Sequence, residues 1–480
     1  MAYILNRNFK KDSRLKKNDI LDVTIESLAF GGKGLLKIDG KALFVRNSLP
    51  GEKLRVKVIK SRSGFAEAIP LQTLTRSKYY VEPECSHFKY CGGCSLQNLK
   101  YEEQLVQKER QLKETIEHLG GVKDVEMEPI VPAPDVFHYR NKMEFSFSNK
   151  RWLTEEDEHK PKDFALGLHV PGNFEKVLDI DNCHLQSELS NRILNSVKES
   201  TQSEKLKAYD VRNHNGYLRY LVIRQSANTD DLLVNIVTKR DEPDKLKKVV
   251  EKLLIDCPEV TCVVNVINEG VASIAYGSKI NLLHGDGNLH ERIADVNLEI
   301  GPQEFLQTNT KAAELLYAKI LDYADFSKDD DVFDLFSGVG SISLYIAPHV
   351  RSVTGFELLP EAVDSAGRNA ASNGILNCKF ISGDMRELFR DLDFVKKAHG
   401  IPDVIVLDPP RGGLHPSIPK RISQLKPSKV VYVSCNPASF ARDLKLFAER
   451  GYKLKKLQAF DLFPHTPHAE LVSLLEYEQK

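Results

Sequence analysis

The sequence predicts an α/β protein in three segments: a small N-terminal β-barrel (15–76), a central α+β segment (77–300) and a C-terminal doubly wound, Rossmann-like sheet (301–480). Three observations carry this. Short strand-like runs with glycine punctuation fill residues 19–74, alternating and helical patterns mix over 138–300, and from Asp331 onward apolar strand runs alternate with helical stretches in the βαβ rhythm of a parallel sheet. A chain of 480 residues, 41% hydrophobic and 28% charged with mean hydropathy −0.33, has ample core without disulfide staples. No apolar run approaches the ~18 residues of a membrane span, and residues 1–17 lack the apolar core of a secretory signal, so the cytoplasm is the expected location.

The barrel segment reads DVTIESLAF, KALFVRN, EKLRVKVIK and FAEAIPLQTL between the turns Gly31-Gly32, Asp39-Gly40 and Pro50-Gly51. Net charge is zero overall, with 67 basic and 67 acidic residues, but residues 1–80 hold 17 Lys/Arg against 7 Asp/Glu. Arg55, Lys57, Lys60 and Arg62 put much of that charge on strands, where one face could follow a phosphate backbone. The Gly-Gly-Lys-Gly stretch and the Leu-Pro-Gly-Glu turn resemble a TRAM domain, a small barrel attached to RNA-modifying enzymes. Residues 100–120 predict an amphipathic linking helix with Leu105, Leu112, Ile116 and Leu119 on one stripe and a glycine pair at its end.

In the C-terminal segment, Asp334-Leu-Phe-Ser-Gly-Val-Gly-Ser-Ile-Ser-Leu344 is a strand running into a glycine turn that opens a helix. Gly338 and Gly340 let backbone approach a ligand. Glu357, seventeen residues beyond Gly340 at the end of the next strand, can accept hydrogen bonds from ribose hydroxyls, and Asp384 ends the third strand, where an adenine could lie. The third glycine of a dinucleotide fingerprint is replaced by Ser343, which favours S-adenosylmethionine over NAD. Two further strands end in reactive turns, Asp408-Pro409-Pro410-Arg411 and Cys435-Asn436-Pro437, and strand C-termini are where open α/β sheets bind ligands.

The ordered set Pro302-Gln-Glu-Phe-Leu-Gln307-Thr-Asn309, Asp334-Leu-Phe-Ser-Gly-Val-Gly340, Asp408-Pro-Pro-Arg411, Ser434-Cys-Asn-Pro437 and His468-Ala-Glu470 resembles the RNA uracil-C5 methyltransferase family. The resemblance implies a class I methyltransferase fold, S-adenosylmethionine contacts at Gln307, Phe336, Glu357 and Asp408, Cys435 as nucleophile and Glu470 as proton acceptor. Ser341 departs from relatives that carry asparagine there. The chemistry explains the residue types. Uracil C5 is a poor nucleophile until a thiolate adds to C6, and a base must then remove the C5 proton so that the thiolate can leave. The last strand of such sheets is antiparallel, which puts Glu470 at the same sheet edge as Cys435. A stacked uridine cannot reach these groups, so the target must be flipped or splayed out. Tyr139-Arg140-Asn141-Lys142 and Arg219-Tyr220 are candidate RNA readers.

Cys85-x5-Cys91-Gly-Gly-Cys94 with the distant Cys183 supplies four thiols, a set that spacing alone assigns equally to zinc or to a [4Fe–4S] cluster. Resemblance to the branch of the family sharing this spacing implies the iron–sulfur cluster. Cys257, Cys262 and Cys378 read as core or surface thiols. The expected activity is methylation of a uridine in 23S ribosomal RNA, with the tRNA T-loop as the alternative within enzymes and a non-catalytic RNA-binding or remodelling protein as the alternative outside them. RNA is the expected partner; no membrane and no obligate protein partner is evident.

Overall fold

The structure, a computed structural model, describes residues 15–122, 126–157 and 160–478. The chain forms two compact units, one of residues 1–83 with Cys94–Gln111 and His465–Pro467, the other of Glu84–Gly93, Leu112–Pro464 and His468–Lys480. The N-terminal leader reading falls, through residue 14, outside the described residues. Among those that are described, no helix is long and apolar enough to cross a membrane.

The first unit contains a six-stranded sheet of β1 (Ile20–Thr24), β2 (Ser27–Leu28), β3 (Gly34–Ile38), β4 (Lys41–Val45), β5 (Lys53–Ser61) and β6 (Phe65–Thr75), in the order β1-β5-β6-β4-β3-β2. Both edges come from one stretch of chain: Ile25 N–H donates to Glu52 O and, one residue on, Glu26 N–H donates to Leu35 O, which curls the sheet toward closure. Val23, Leu43, Val45, Leu54, Val56 and Ala66 fill its core, as strand alternation requires. Strand β3 was not anticipated, because Gly-Leu-Leu-Lys-Ile has no alternation. Two of the basic strand positions are ion-paired within the sheet: Arg55 holds Asp22 through two bonds of 2.8 and 2.9 Å, and Lys60 lies 3.5 Å from Glu67.

Helix α1 (Tyr101–Gly120) starts in the first unit and ends in the second. Leu112 and Ile116 are buried as expected, but Leu119 is exposed. The first half instead buries a polar strip. Gln104 donates through Nε2 to Leu96 O and Leu99 O and accepts from His465 N–H, while Gln107 accepts from Leu28 N–H. An apolar periodicity scan cannot find a helix face whose burial is satisfied by hydrogen bonds.

In the second unit β7 (Glu128–Val131) precedes the central sheet, made of β8 (Lys142–Ser148), β9 (Arg151–Trp152), β10 (Ala165–His169), β11 (Val177–Asp179), β12 (Leu218–Gln225), β13 (Leu232–Thr238), β14 (Cys262–Ile267) and β15 (Lys279–His284). Their order is β15-β14-β13-β12-β8-β10-β11-β9, with helices α2 (Glu188–Ser203) and α3 (Lys247–Asp256). A hairpin, β16 (Leu289–Ile293) and β17 (Val296–Ile300), shares one core with β13, β14 and the C-terminal sheet, through Leu289, Leu298, Leu233, Val264 and Val404.

The C-terminal sheet comprises β18 (Asp331–Leu335), β19 (Ser352–Glu357), β20 (Cys378–Ser382), β21 (Val404–Leu407), β22 (Lys429–Ser434), β23 (Tyr452–Phe460) and β24 (Glu470–Tyr477). Its order is β20-β19-β18-β21-β22-β24-β23-β7, parallel except for β24, which runs antiparallel between β22 and β23. Seven helices accompany it: α4 (Thr310–Ala324), α5 (Ser341–Ile346), α6 (Pro360–Ser372), α7 (Met385–Leu388), α8 (Leu392–His399), α9 (Ser417–Leu425) and α10 (Pro437–Ala448). Strand β7 extends this sheet from more than three hundred residues upstream, pairing in parallel with β23. No local signal in Glu-Pro-Ile-Val announces so distant a partner.

Candidate active site

The strand C-termini of the doubly wound sheet gather the residues expected there. At the end of β18 the chain turns so sharply that Phe336 adopts φ 71°, a left-handed conformation rare outside glycine, and Phe336 N–H and Ser337 N–H both donate to Phe356 O of β19. Gly340 (φ 85°) closes the turn; a Cβ there would meet the Phe380 ring at 3.0 Å and Ala366 Cβ at 3.1 Å, so glycine is needed for packing as well as for φ. Glu357 ties β19 to this loop by accepting from Gly338 N–H at 3.1 Å, and from Leu358 and Leu359 N–H at 2.7 and 3.0 Å. Ser341 forms a 2.9 Å hydroxyl pair with the buried Tyr317. Asp384 is engaged locally: it caps α7 by accepting from Arg386 N–H, and the Arg386 guanidinium holds its carboxyl down at about 2.

Gln307 lies in the segment before α4. Its backbone oxygen accepts from Asn141 Nδ2 at 2.9 Å, and its own Nε2 donates to Asp408 Oδ2 at 3.4 Å. Asp408, at the end of β21, is pushed up to about 6 by desolvation, which Gln307 partly offsets. The two reactive turns are stitched together: Asn436 caps α10 through Ala438 N–H while its Nδ2 donates to Arg411 O at 3.0 Å. Beneath them the fully buried Asp443 accepts from Leu414 N–H at 2.7 Å and Tyr432 Oη at 2.8 Å and pairs with Arg442. Asp443 escaped the sequence reading, as did Tyr317, because a polar residue inside a helical apolar pattern looks like an exposed position.

Register decides the central pair. Ser434 of β22 opposes Leu471 of β24, so Cys435 and Glu470, one residue beyond each, face one another at the end of the antiparallel pair. Glu470 is only 2% exposed and its Oε2 has no hydrogen-bond partner among the described residues. Burial, then the Asp408 charge, pushes it up to about 8, with Arg411 acting the other way. Cys435 is pushed up to about 11 by burial and by the charges of Glu470 and Asp408. A buried carboxyl oxygen left without a partner costs stability. One measurement checks this coupling. Alkylation of Cys435 by iodoacetamide, followed by peptide mass spectrometry, is expected to keep accelerating toward pH 11. In Glu470→Gln the midpoint is expected to fall by roughly one unit, because the carboxylate that opposes the thiolate above about pH 8 is gone.

The chain matches the tRNA (Uracil-5-)-methyltransferase family model over residues 100–478 and the TRAM domain model over 14–71. It belongs to the tRNA (uracil-5-)-methyltransferase family. An RNA methyltransferase of Chlorobaculum tepidum is 38% identical over 97% of this chain and 98% of its own length; one from Caldanaerobacter subterraneus is 39% identical over 96% and 100%. The Pyrococcus abyssi tRNA (uracil-54, C5)-methyltransferase, solved with S-adenosyl-L-homocysteine, superposes with TM-score 0.73 at 30% identity over 95% of this chain and 99% of its own. This uracil-5 methyltransferase family member is therefore an S-adenosylmethionine-dependent RNA methyltransferase with a class I fold and an N-terminal TRAM domain, as its motifs implied.

The remaining expectations divide. Cys85, Cys91 and Cys183 lie in the second unit, and Cys94 opens a segment of the first. Each sulfur receives N–H groups: Cys85 from His87 and Phe88, Cys91 from Gly93 at 3.3 Å, Cys183 from Leu185 and Gln186, and Cys94 from the Gln97 amide at 3.4 Å. Burial pushes Cys85 up, and the Cys183 charge adds to it. Among the described residues no group of three or more His, Cys, Asp or Glu side chains is arranged as a metal site. Half of the expected RNA readers turn inward. Tyr139 is buried with its hydroxyl on Pro464 O, Asn141 supports Gln307 and Thr310, and the 3% exposed Arg219 bonds Asn268 O, Gly270 O and Ala272 O. Interleaved aromatic and basic residues look the same in sequence whether they bind RNA or hold a loop.

Proposed function

We propose that this enzyme methylates C5 of a uridine in 23S ribosomal RNA through a covalent bond between Cys435 and C6 of the base. The observation that carries the reading is the buried Glu470 carboxyl, its Oε2 without a hydrogen-bond partner among the described residues, at the same end of the β22–β24 pair as the Cys435 thiol and near Asp408. The Cys435 thiolate adds through sulfur to C6 and makes C5 an enolate carbon, which takes the methyl group as the methyl–sulfonium bond breaks and S-adenosylhomocysteine leaves. Once C5 carries the methyl group, Glu470 takes its proton and the C6–sulfur bond breaks, restoring the uracil ring and the thiolate. S-adenosylmethionine, when bound, supplies the methyl group and a cationic sulfonium that favours both ionised groups. The glycine turn at Gly338 and Gly340, with Gln307, Phe336, Glu357, Asp384 and Asp408 around it, is the proposed pocket for it. In the free protein burial disfavours the ionised form of both Glu470 and Cys435.

We further assign Cys85, Cys91, Cys94 and Cys183 to a [4Fe–4S] cluster. Four reduced thiols, each given N–H donors, suit thiolate ligation, since such donors stabilise negative sulfur. The cluster would supply a cross-link between distant chain segments; the methylation above transfers no electrons.

The similarity to an archaeal tRNA (uracil-54, C5)-methyltransferase favours a second reading, methylation of tRNA. Anaerobically purified enzyme, methyl-labelled S-adenosylmethionine and separated rRNA and tRNA from a strain lacking the gene distinguish them. Label in 5-methyluridine from large-subunit rRNA is the expected result. Label in tRNA alone would overturn the substrate while keeping the chemistry, and label in neither would leave an RNA-binding protein without turnover.

A further inference from the structure

A groove of about 300 Å³ lies on the central sheet, away from Cys435 in sequence and on different strands. Its floor is the β8–β12 pair, where Glu144 opposes Val222, with Lys142 and Tyr220 to either side on the same face. Its walls are two loops, one carrying Ser273 and Tyr276, the other carrying Gln303.

Both walls are braced. The Arg219 guanidinium gathers the carbonyls of Asn268, Gly270 and Ala272 at 2.6–2.7 Å, fixing the first loop at its base. Gly277, at its other end, sits so close to β14 that a Cβ would lie 2.1 Å from Ile267 O. The Gln303 side chain locks the loops together, accepting from Gly277 N–H at 2.6 Å and donating to Gly277 O at 3.1 Å. Arg224, fully buried, holds the second loop through Gly301 O at 2.7 Å and Glu304 O at 3.0 Å, and Glu304 in turn accepts from Ser365 of α6 at 2.5 Å. The groove is thus pinned to the same segment that, four residues after Gln303, delivers Gln307 to Asp408.

Its chemistry is that of a nucleotide site. Tyr276 is 47% exposed and Tyr220 half-buried, giving aromatic faces for a base. The Lys142 ammonium, 2.8 Å from Glu144, suits a phosphate, and the half-exposed Glu144 carboxylate can accept from an exocyclic amine. We propose that this groove receives an unpaired nucleobase of the RNA substrate other than the methylated uridine, so that two bases displaced from one RNA fold are read at a fixed separation. This rests on the RNA methyltransferase reading above. A uridine alone is chemically common in RNA; a second base held by a braced groove adds the discrimination that one base lacks.

The test is binding, measured by filter retention without S-adenosylmethionine, on the shortest transcript that retains wild-type affinity. Single abasic substitutions are walked through it, for wild type and for Tyr276→Ala and Glu144→Gln, neither of which lies in the proposed catalytic machinery. In wild type one abasic position outside the methylated uridine should weaken binding about ten-fold. In Tyr276→Ala, already weakened by a similar factor, the same abasic position should add less than about two-fold. Abasic penalties that persist unchanged in both variants at every position would overturn the groove assignment. RNA that binds with this coupling but is never methylated would overturn the proposed function and leave the groove standing. Failure to bind any RNA would overturn both.

Discussion

Substituting alanine for Cys435 is expected to abolish methyl transfer to RNA, a loss of at least about 10⁴-fold in turnover. No other thiol can replace it. Among the described residues, Cys435 is the one cysteine at the end of a strand facing Glu470, whereas Cys257 and Cys262 are buried and Cys378, on β20, is pushed up to about 12 by burial. The fold should be unaffected, because the side chain is partly exposed and the strand-ending turn is held by Asn436 on Arg411 O and Ala438 N–H. Single-turnover assays with methyl-labelled S-adenosylmethionine, beside a thermal melt, check both halves. Retained activity in a folded Cys435→Ala protein would exclude the covalent route altogether.

Glu470→Gln is expected to produce a different failure. The glutamine preserves size and removes the base, so methyl transfer proceeds while loss of the C5 proton stalls. A covalent protein–RNA adduct should then accumulate, seen as a slow band on a denaturing gel that is sensitive to nuclease and carries the methyl label. Turnover should fall by about 10²–10⁴-fold, the range typical of removing a general base. The double variant Cys435→Ala/Glu470→Gln should form no adduct, which ties the band to Cys435. Single Glu470→Gln protein that turns over normally and traps nothing would move the base elsewhere, and Asp408, raised to about 6 and held by Gln307, is the next carboxylate at the same edge.

Much of this site is legible in the sequence because the residues concerned sit in turns. Asp408-Pro-Pro-Arg411 and Ser434-Cys-Asn-Pro437 end apolar strands abruptly, and a doubly wound sheet places every such end on one rim. The glycine turn at Gly338 and Gly340 is likewise local: its conformation follows from backbone sterics at those positions. The same holds for the alternation that built most of the barrel and for the βαβ order of the C-terminal sheet, both consequences of side-chain periodicity along a single segment.

What lay beyond reach was decided by partners distant in the chain. Strand β7 joins the C-terminal sheet from far upstream, Asn141 supports Gln307 across 166 residues of sequence, and the polar half of α1 is buried because Leu96, Leu99 and His465 bring matching donors and acceptors. Arg219 reads as a surface cation in sequence, yet three backbone carbonyls take it inside. The sequence by itself determined the sheet class and the glycine turn, and it singled out Cys435 and Glu470 as the candidate pair. The resemblance already implied an antiparallel last strand; only the tertiary structure decided the register that pairs Ser434 with Leu471, and that Glu470 is buried with its Oε2 unpartnered among the described residues. The physical reason is that local sterics and periodicity act within a segment, whereas burial, electrostatic coupling and hydrogen-bond satisfaction depend on which segments meet.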